Sequence, residues 1–475
     1  MNTKNQKLSE EKIPKLIISL AIPSVIAQLV TMLYNMVDRI YIGHTVDGTT
    51  AMAALGITLP IVTLINAFTM LFGMGGAPLC AISLGQKNQE KSEKIMANSF
   101  ICLIVSSIII TIIVLLFKEQ ILYLFGADSI TIEPAKKYIS FYIIGTLFIQ
   151  LTVGMNAYIN TQGFTQIGMK TTLLGAILNI ILDPIFIYLL DMGITGAAIA
   201  TVIAQSASCV WVLKFLTSGK STVKLRKSYF RPDFKIIGSI CALGISTFIM
   251  SSTESLLQIS FNNRLSIYGG TTAVGVMSIM NTLLQCISLP TQGIMVGTQP
   301  VLSYNYGAKN YKRVRDGFKF AIKLTTATTI IVACSIMLFS DIFVKIFTTD
   351  TTYIQFTRWS IKVFLIGMTI FGLQICCQQS FMALGQAKIS LCMALLRKVI
   401  LLIPLIYILP TVFGNFEFAY IFSNPISNFV KDAPRVFLVL LAEPISDIIA
   451  AITTTTLFVR FYKNNLINNE TKEVA

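Results

Sequence analysis

The chain has 475 residues, of which 54% are hydrophobic and 12% charged, with a net charge of +15. Its mean hydropathy is +0.72. A soluble domain carries about 25% charged residues, so this composition excludes a soluble fold. The basic excess forms no stripe on a soluble module, which excludes nucleic-acid binding as its purpose.

A bilayer-crossing helix needs about 20 apolar residues, because hydrocarbon cannot hydrogen-bond an exposed backbone. Twelve segments meet this requirement. The first six are 14–40, 52–79, 93–117, 135–158, 168–190 and 195–216; the second six are 236–260, 273–302, 317–340, 356–380, 388–411 and 436–462. The fold class expected is an all-α polytopic membrane protein, its twelve transmembrane helices arranged as two six-helix bundles. The expected domains are an N-terminal lobe over 1–217, a basic linker over 218–235 and a C-terminal lobe over 236–475. The last lobe carries an extra extracellular segment at about 412–435.

The halves repeat each other. A shift of 222 residues lays Gly48-Thr49-Thr50-Ala51 on Gly270-Thr271-Thr272-Ala273, and Lys87-Asn88 on Lys309-Asn310. The same shift pairs Gly75 with Gly297, Gly85 with Gly307, Gly145 with Gly367 and Gly163 with Gly385. A duplicated half in a membrane chain points to a transporter with its site between the copies. Six spans per half is an even number, so both halves insert the same way up, related by a pseudo-two-fold axis along the membrane normal.

Basic residues set the orientation. Lys4, Lys7, Lys12 and Lys15 precede span one, and Lys87, Lys91 and Lys94 follow span two. The linker holds Lys220, Lys224, Arg226, Lys227, Arg231 and Lys235, and the loop after span eight holds Lys309, Lys312, Arg313 and Arg315. All fall on one side if both termini are cytoplasmic. The first span is too long for a signal-peptide core and no small-residue cleavage site follows it. The wealth of Ile, Lys and Asn suggests an AT-rich bacterial genome, and hence a bacterial plasma membrane. The nine cysteines fall within spans and form no metal-ligand pattern, so they read as small buried hydrophobes.

Ionisable groups at membrane depth cost about 2.5–3.5 kcal/mol each on insertion scales, so they point to function. Asp38 lies late in span one. Asn179 and Asp183, four residues apart, share one face of span five. Thr201 enters span six at comparable depth. Two carboxylates, an amide and a hydroxyl suit Na⁺ as hard oxygen ligands, or H⁺ as a desolvated acid pair. The plainer alternative is that Asp38 pairs with Arg39. Under the 222-residue shift Asp38 falls on Ser260 and Asp183 on Leu405, so the ion site belongs to the first half alone. In the second half, Arg397 and Asp447 read as a structural ion pair on adjacent helices. Glu254, with no cation nearby in sequence, reads as a cavity carboxylate for a cationic amphiphile. His44, the only histidine, reads as a surface loop residue. No nucleotide-binding loop is present, so transport draws on an ion gradient.

Met32 to Gly43, Gly73-Met74-Gly75-Gly76-Ala77-Pro78, Gln162-Gly163, Asn179 to Pro184 and Gly196 to Thr201 carry a resemblance to a known family. So do Ser252-Thr253-Glu254-Ser255, Ser303-Tyr304-Asn305-Tyr306-Gly307-Ala308 and Glu443-Pro444-Ile445-Ser446-Asp447. The chain resembles the multidrug and toxic compound extrusion (MATE) antiporters over nearly its whole length. That resemblance implies a V-shaped pair of bundles exporting organic cations against H⁺ or Na⁺, without a cofactor and without catalysis. It implies an ion site of Asp38, Asn179, Asp183, Thr201 and Asn156, and a substrate cavity including Glu254, Gln162 and Gln378. Its expected partners are small organic cations or other amphiphilic drugs and the lipid bilayer, the protein acting as a monomer with no nucleic acid and no metal beyond Na⁺ at Asp38 and Asp183. A flippase for a lipid-linked precursor is the alternative within the same superfamily. It would need a strongly cationic cavity for pyrophosphate, whereas the intramembrane charges are mixed.

Overall fold

The computed structural model describes residues 3–45, 48–345, 351–414 and 434–467. Most of the segment expected before the last span, about 412–435, lies outside the described residues. Among the described residues, eleven helices are long and apolar enough to cross a membrane, and one bent pair makes twelve. The first half holds Ile13–Gly43, Thr50–Gly85, Gln89–Leu124, Ile132–Thr161, Thr165–Leu189 and Gly193–Thr217. The second holds Phe234–Gly270, Thr272–Gly307, Tyr311–Leu338, the bent pair Ile354–Phe364 with Met368–Ala383, Ala387–Val412 and Pro434–Ile467. We number these spans one to twelve.

The sequence repeat is visible as repeated local geometry. Asn88 and Asn310 cap spans three and nine, each accepting from the backbone N–H three residues on, at 2.9 and 3.2 Å. Lys87 and Lys309, just before them, both take left-handed backbone angles, with φ of 59° and 60°. Spans four and ten break at equivalent points, around Gly145 and Gly367, and span ten bends there by 46°.

The two halves meet reciprocally at the basic ends of spans two and eight. A Cβ at Gly85 would collide with the Tyr304 carbonyl, and one at Gly307 with the Ile82 carbonyl. Ile82 and Tyr304 are themselves related by the 222-residue shift, so this contact straddles the pseudo-two-fold axis, as in a symmetric dimer. Only residues without a side chain let the backbones approach this closely. On the same face the short helix Thr3–Glu10 bridges the halves. Leu8 is buried in the first-half core, beside Gly163. Its carbonyl accepts from Asn305 Nδ2 and Arg313 Nη2 of the second half, at 3.0 and 3.2 Å.

The linker is docked onto the first half. Buried Glu93 pairs with Arg226 at 2.9 Å and accepts from the Lys224 N–H at 3.3 Å. Asn98 accepts from the Asp233 N–H at 2.7 Å, and Gln89 donates to the Thr222 carbonyl at 2.6 Å. A buried carboxylate is tolerated here because an arginine and a backbone donor compensate it.

Candidate functional site

Two groups of buried polar residues stand out, one in each half. In the first, Pro184 ends the α-helical part of span five and a π-helical turn, Ile185–Leu189, follows. Proline lacks the N–H that would continue the ladder, and π turns recur at such breaks. Asp183 is fully buried and Asn179 nearly so. Asn179 Nδ2 donates to Asp183 Oδ1 at 2.9 Å and, more weakly, to Thr201 Oγ1 at 3.4 Å. The Asp38 carboxyl from span one is a close electrostatic neighbour of Asp183. Asp38 Oδ1, Asn179 Oδ1 and Asp183 Oδ2 are all buried without a hydrogen-bond partner among the described residues. Arg39 is exposed and, among the described residues, forms no ion pair with Asp38.

Three tyrosines enclose this group. Tyr34 lies one turn before Asp38 in span one, while Tyr138 and Tyr142 of span four stack at 5.5 Å, both buried. All three lie within the electrostatic reach of Asp38. Sequence reasoning missed them. The signal available was the four-residue spacing of Tyr34 with Asp38 and of Tyr138 with Tyr142, which places each pair on one helix face.

Asn156 does not join the cluster. Its amide donates to the Gly168 carbonyl at 3.3 Å, near the basic end of span five. Gly168 lies about 16 Å along the helix from Asn179, at 1.5 Å per residue.

In the second half, span eleven contains a longer π-helical segment, Leu396–Leu402, shortly before Pro404. It carries Arg397 and Lys398, both turned inward. Arg397 donates from Nε to Asp447 Oδ1 at 2.7 Å and from Nη2 to Glu443 Oε1 at 3.1 Å. Its guanidinium lies 4.9 Å from the centre of the Phe371 ring. Ser446 ties span twelve to the same segment by donating to the Arg397 carbonyl at 2.8 Å. Glu443 is therefore a member that the simple Arg397–Asp447 pair omits.

Glu254 does have a cation. Lys398 Nζ pairs with Glu254 Oε2 and also donates to the Met250 carbonyl at 3.0 Å. The two residues are far apart in sequence and adjacent only because spans seven and eleven pack together. The Glu254 side chain is 56% exposed against 10% for Lys398.

The two glutamines expected in the cavity are structural in this conformation. Gln162 is fully buried at the basic end of the first half. It donates to the Tyr158 carbonyl at 3.0 Å and accepts from Ser221 Oγ at 3.0 Å and the Val223 N–H at 2.8 Å, which fastens the linker. Gln378, also buried, donates to the Ser390 carbonyl at 2.9 Å, and Ser390 donates to Ser246 Oγ at 3.0 Å. That chain links spans ten, eleven and seven. His44 is an exposed residue whose ring donates back to the Ile40 carbonyl at 2.8 Å. The nine cysteines form no disulfide, and Cys392 is exposed where burial was expected.

The chain matches the family described as MatE over residues 23–185 and again over 246–408, one match per half. It is 27% identical over 408 residues to the multidrug export protein MepA of Staphylococcus aureus (strain MRSA252), covering 85% of this chain and 89% of that protein. The MepA of Staphylococcus haemolyticus (strain JCSC1435) is 25% identical over 405 residues, again covering 85% and 89%. Among solved structures, an outward-facing multidrug resistance MATE family transporter of the MOP superfamily superposes with a TM-score of 0.86 at 22% identity. It covers 96% of this chain and 97% of that one. At that identity the likeness establishes the fold.

Proposed function

The chain belongs to the MatE family of multi-pass membrane transporters, and from that premise we propose that it exports organic cations in exchange for protons carried by Asp38 and Asp183. The observation that carries this reading is the acid pair, each acid with one buried oxygen that has no hydrogen-bond partner and neither in an ion pair among the described residues. Two neighbouring carboxyl groups repel when both are charged, so in this reading one of the pair carries a proton in this conformation. Asn179 and Thr201 orient the pair. When the pair loses its proton, like-charge repulsion drives Asp38 away from Asp183, and with it the outer part of span one. Such a change couples ion to substrate only if the two states of the transporter bind the proton with different affinity. The tyrosine shell supplies that difference by excluding water in one state.

The basic face is read as cytoplasmic, with both termini there, in the plasma membrane of a bacterium. Contact of spans two and eight on that face, clamped by Thr3–Glu10, supports a state open to the outside. Export then follows from rocking of the two lobes, 1–217 and 236–475, about that axis, in a protein acting as a monomer. Glu254, exposed at mid-span, is the group that receives a cationic substrate. The buried and half-buried charges are mixed, with Asp38, Asp183, Glu443 and Asp447 as well as Arg397 and Lys398, which speaks against a pyrophosphate-bearing lipid as cargo.

A second reading, Na⁺ in place of H⁺, is favoured by the orphan Asn179 oxygen beside the two acids, since hard oxygens suit Na⁺ equally. Proteoliposomes loaded with ethidium separate the readings. Efflux driven by an imposed pH gradient and not by a Na⁺ gradient is the expected result. Efflux driven by Na⁺ alone moves the assignment to the ion, and efflux under neither gradient overturns the exporter reading.

A further inference from the structure

The second-half cluster does not balance electrically, and that imbalance is informative. Arg397 and Lys398 of span eleven face Glu254 of span seven and Glu443 and Asp447 of span twelve. With every group ionised, two cations face three anions. Lys398 and Glu254 cancel at the exposed edge. The excess negative charge therefore falls on Glu443 and Asp447, which are 6% and 1% exposed and share one guanidinium. An uncompensated charge in so buried a place is strongly unfavourable.

The atoms show where it sits. Asp447 Oδ1 accepts from Arg397, but Asp447 Oδ2 is buried with no hydrogen-bond partner among the described residues. It points at the break in span ten, where a Cβ on Gly367 would stand 3.0 Å from it. The hydroxyl of its chain neighbour Ser446 is committed to the Arg397 carbonyl. Phe371, on the other side, presents its ring to the guanidinium and offers no donor.

We infer that Glu443 and Asp447 hold one proton between them, a charge-balancing proton site in the second half that is separate from the Asp38–Asp183 pair. A metal ion fits poorly. Arg397 already occupies the space between the two carboxylates, and a hard cation would require roughly six oxygen ligands. A proton taken from water neutralises the cluster with no further ligand. The site makes this otherwise fixed network titratable, and adds a second bound proton to those of the first half.

Infrared spectroscopy of the purified full-length protein tests this. In an Asp38→Asn/Asp183→Asn variant, whose first-half acids are gone, a protonated-carboxyl C=O band persists at neutral pH and disappears in strong alkali. Adding either Glu443→Gln or Asp447→Asn abolishes it, because one remaining carboxylate then balances Arg397. Carbon-13 labelling of aspartate and glutamate carboxyls assigns the band even where an added substitution prevents folding. No band in the folded Asp38→Asn/Asp183→Asn protein overturns the inference. So does a band that survives both additions or shifts with neither label. Because the variant lacks the proposed coupling pair, failure here leaves the exporter reading to its own test.

Discussion

In the first half, half-buried Asp38 and buried Asp183 meet an amide, a hydroxyl and three tyrosines, and form no ion pair among the described residues. In the second, Glu254, Glu443 and Asp447 meet an arginine and a lysine. The difference was written onto one duplicated scaffold. Asp38 and Asp183 fall on Ser260 and Leu405, a back-bonded serine and a core leucine. Arg397 and Lys398 fall on Gly175 and Ala176. At the break of the fourth span of each half, Gly145 packs on Val202, whereas its counterpart Gly367 packs on Asp447. Acids without a countercharge are the ones proposed here to take up and release a cation, while acids locked to an arginine hold helices together.

The largest effect that would break this comparison is on stability. Arg397→Met leaves Glu443 and Asp447 without their cation and costs about 3–5 kcal/mol, read as loss of resistance to unfolding in detergent. The triple variant Arg397→Met/Glu443→Gln/Asp447→Asn recovers most of that loss. Asp183→Asn and Asp38→Asn, by contrast, leave stability nearly unchanged or raise it, since they remove an unpaired buried acid.

Transport comes next. Asp38→Asn lowers pH-gradient-driven efflux about 100-fold, near the upper end of coupling free energies between sites. A smaller effect is expected at Lys398, the tethered cation on Glu254. Lys398→Met frees the carboxylate, and affinity for a monovalent organic cation rises about tenfold, equal to about 1.4 kcal/mol. Fluorescence titration with ethidium reads it. A Glu254→Gln change in the same background returns affinity below the wild-type value.

The smallest effect concerns the loop before span four. Asp128 accepts from the Thr131 hydroxyl at 2.7 Å and its N–H at 2.8 Å, which holds the exposed carboxyl below its ordinary range. A lowered carboxylate stabilises the fold above its unfolded pKa of about 3.9 and loses that contribution as pH falls through the folded value. The melting-temperature difference between wild type and Asp128→Asn is therefore present at neutral pH and vanishes in acid. Its counterpart Asp350 lies outside the described residues, and Asp350→Asn asks whether the second half uses the same cap.

The twelve spans and their duplication were legible because length, apolarity and a constant offset are one-dimensional signals. So were Asp38, Asn179 and Asp183, ionisable or polar groups in apolar surroundings with helical spacing. Pairing between spans was not. Glu254 looked free of cations because Lys398 reaches it only once spans seven and eleven pack with a particular rotation. Gln162 looked like cavity lining, yet its amide is consumed by Ser221 and Val223 of a linker whose folded path no periodicity announces. Asn156 shares the polar character of the ion ligands but sits at another depth, beside Gly168. Glu443 was visible four residues before Asp447, and only the fork of Arg397 shows that the two acids act together.

The central claim is that coupling resides in the uncompensated acids of the first half. Measuring downhill exchange and uphill, pH-driven accumulation of the same cation in Asp183→Asn proteoliposomes tests it most directly. The account predicts that exchange persists while uphill transport is lost. Uphill transport that survives at the wild-type rate would contradict it and place the coupling proton elsewhere.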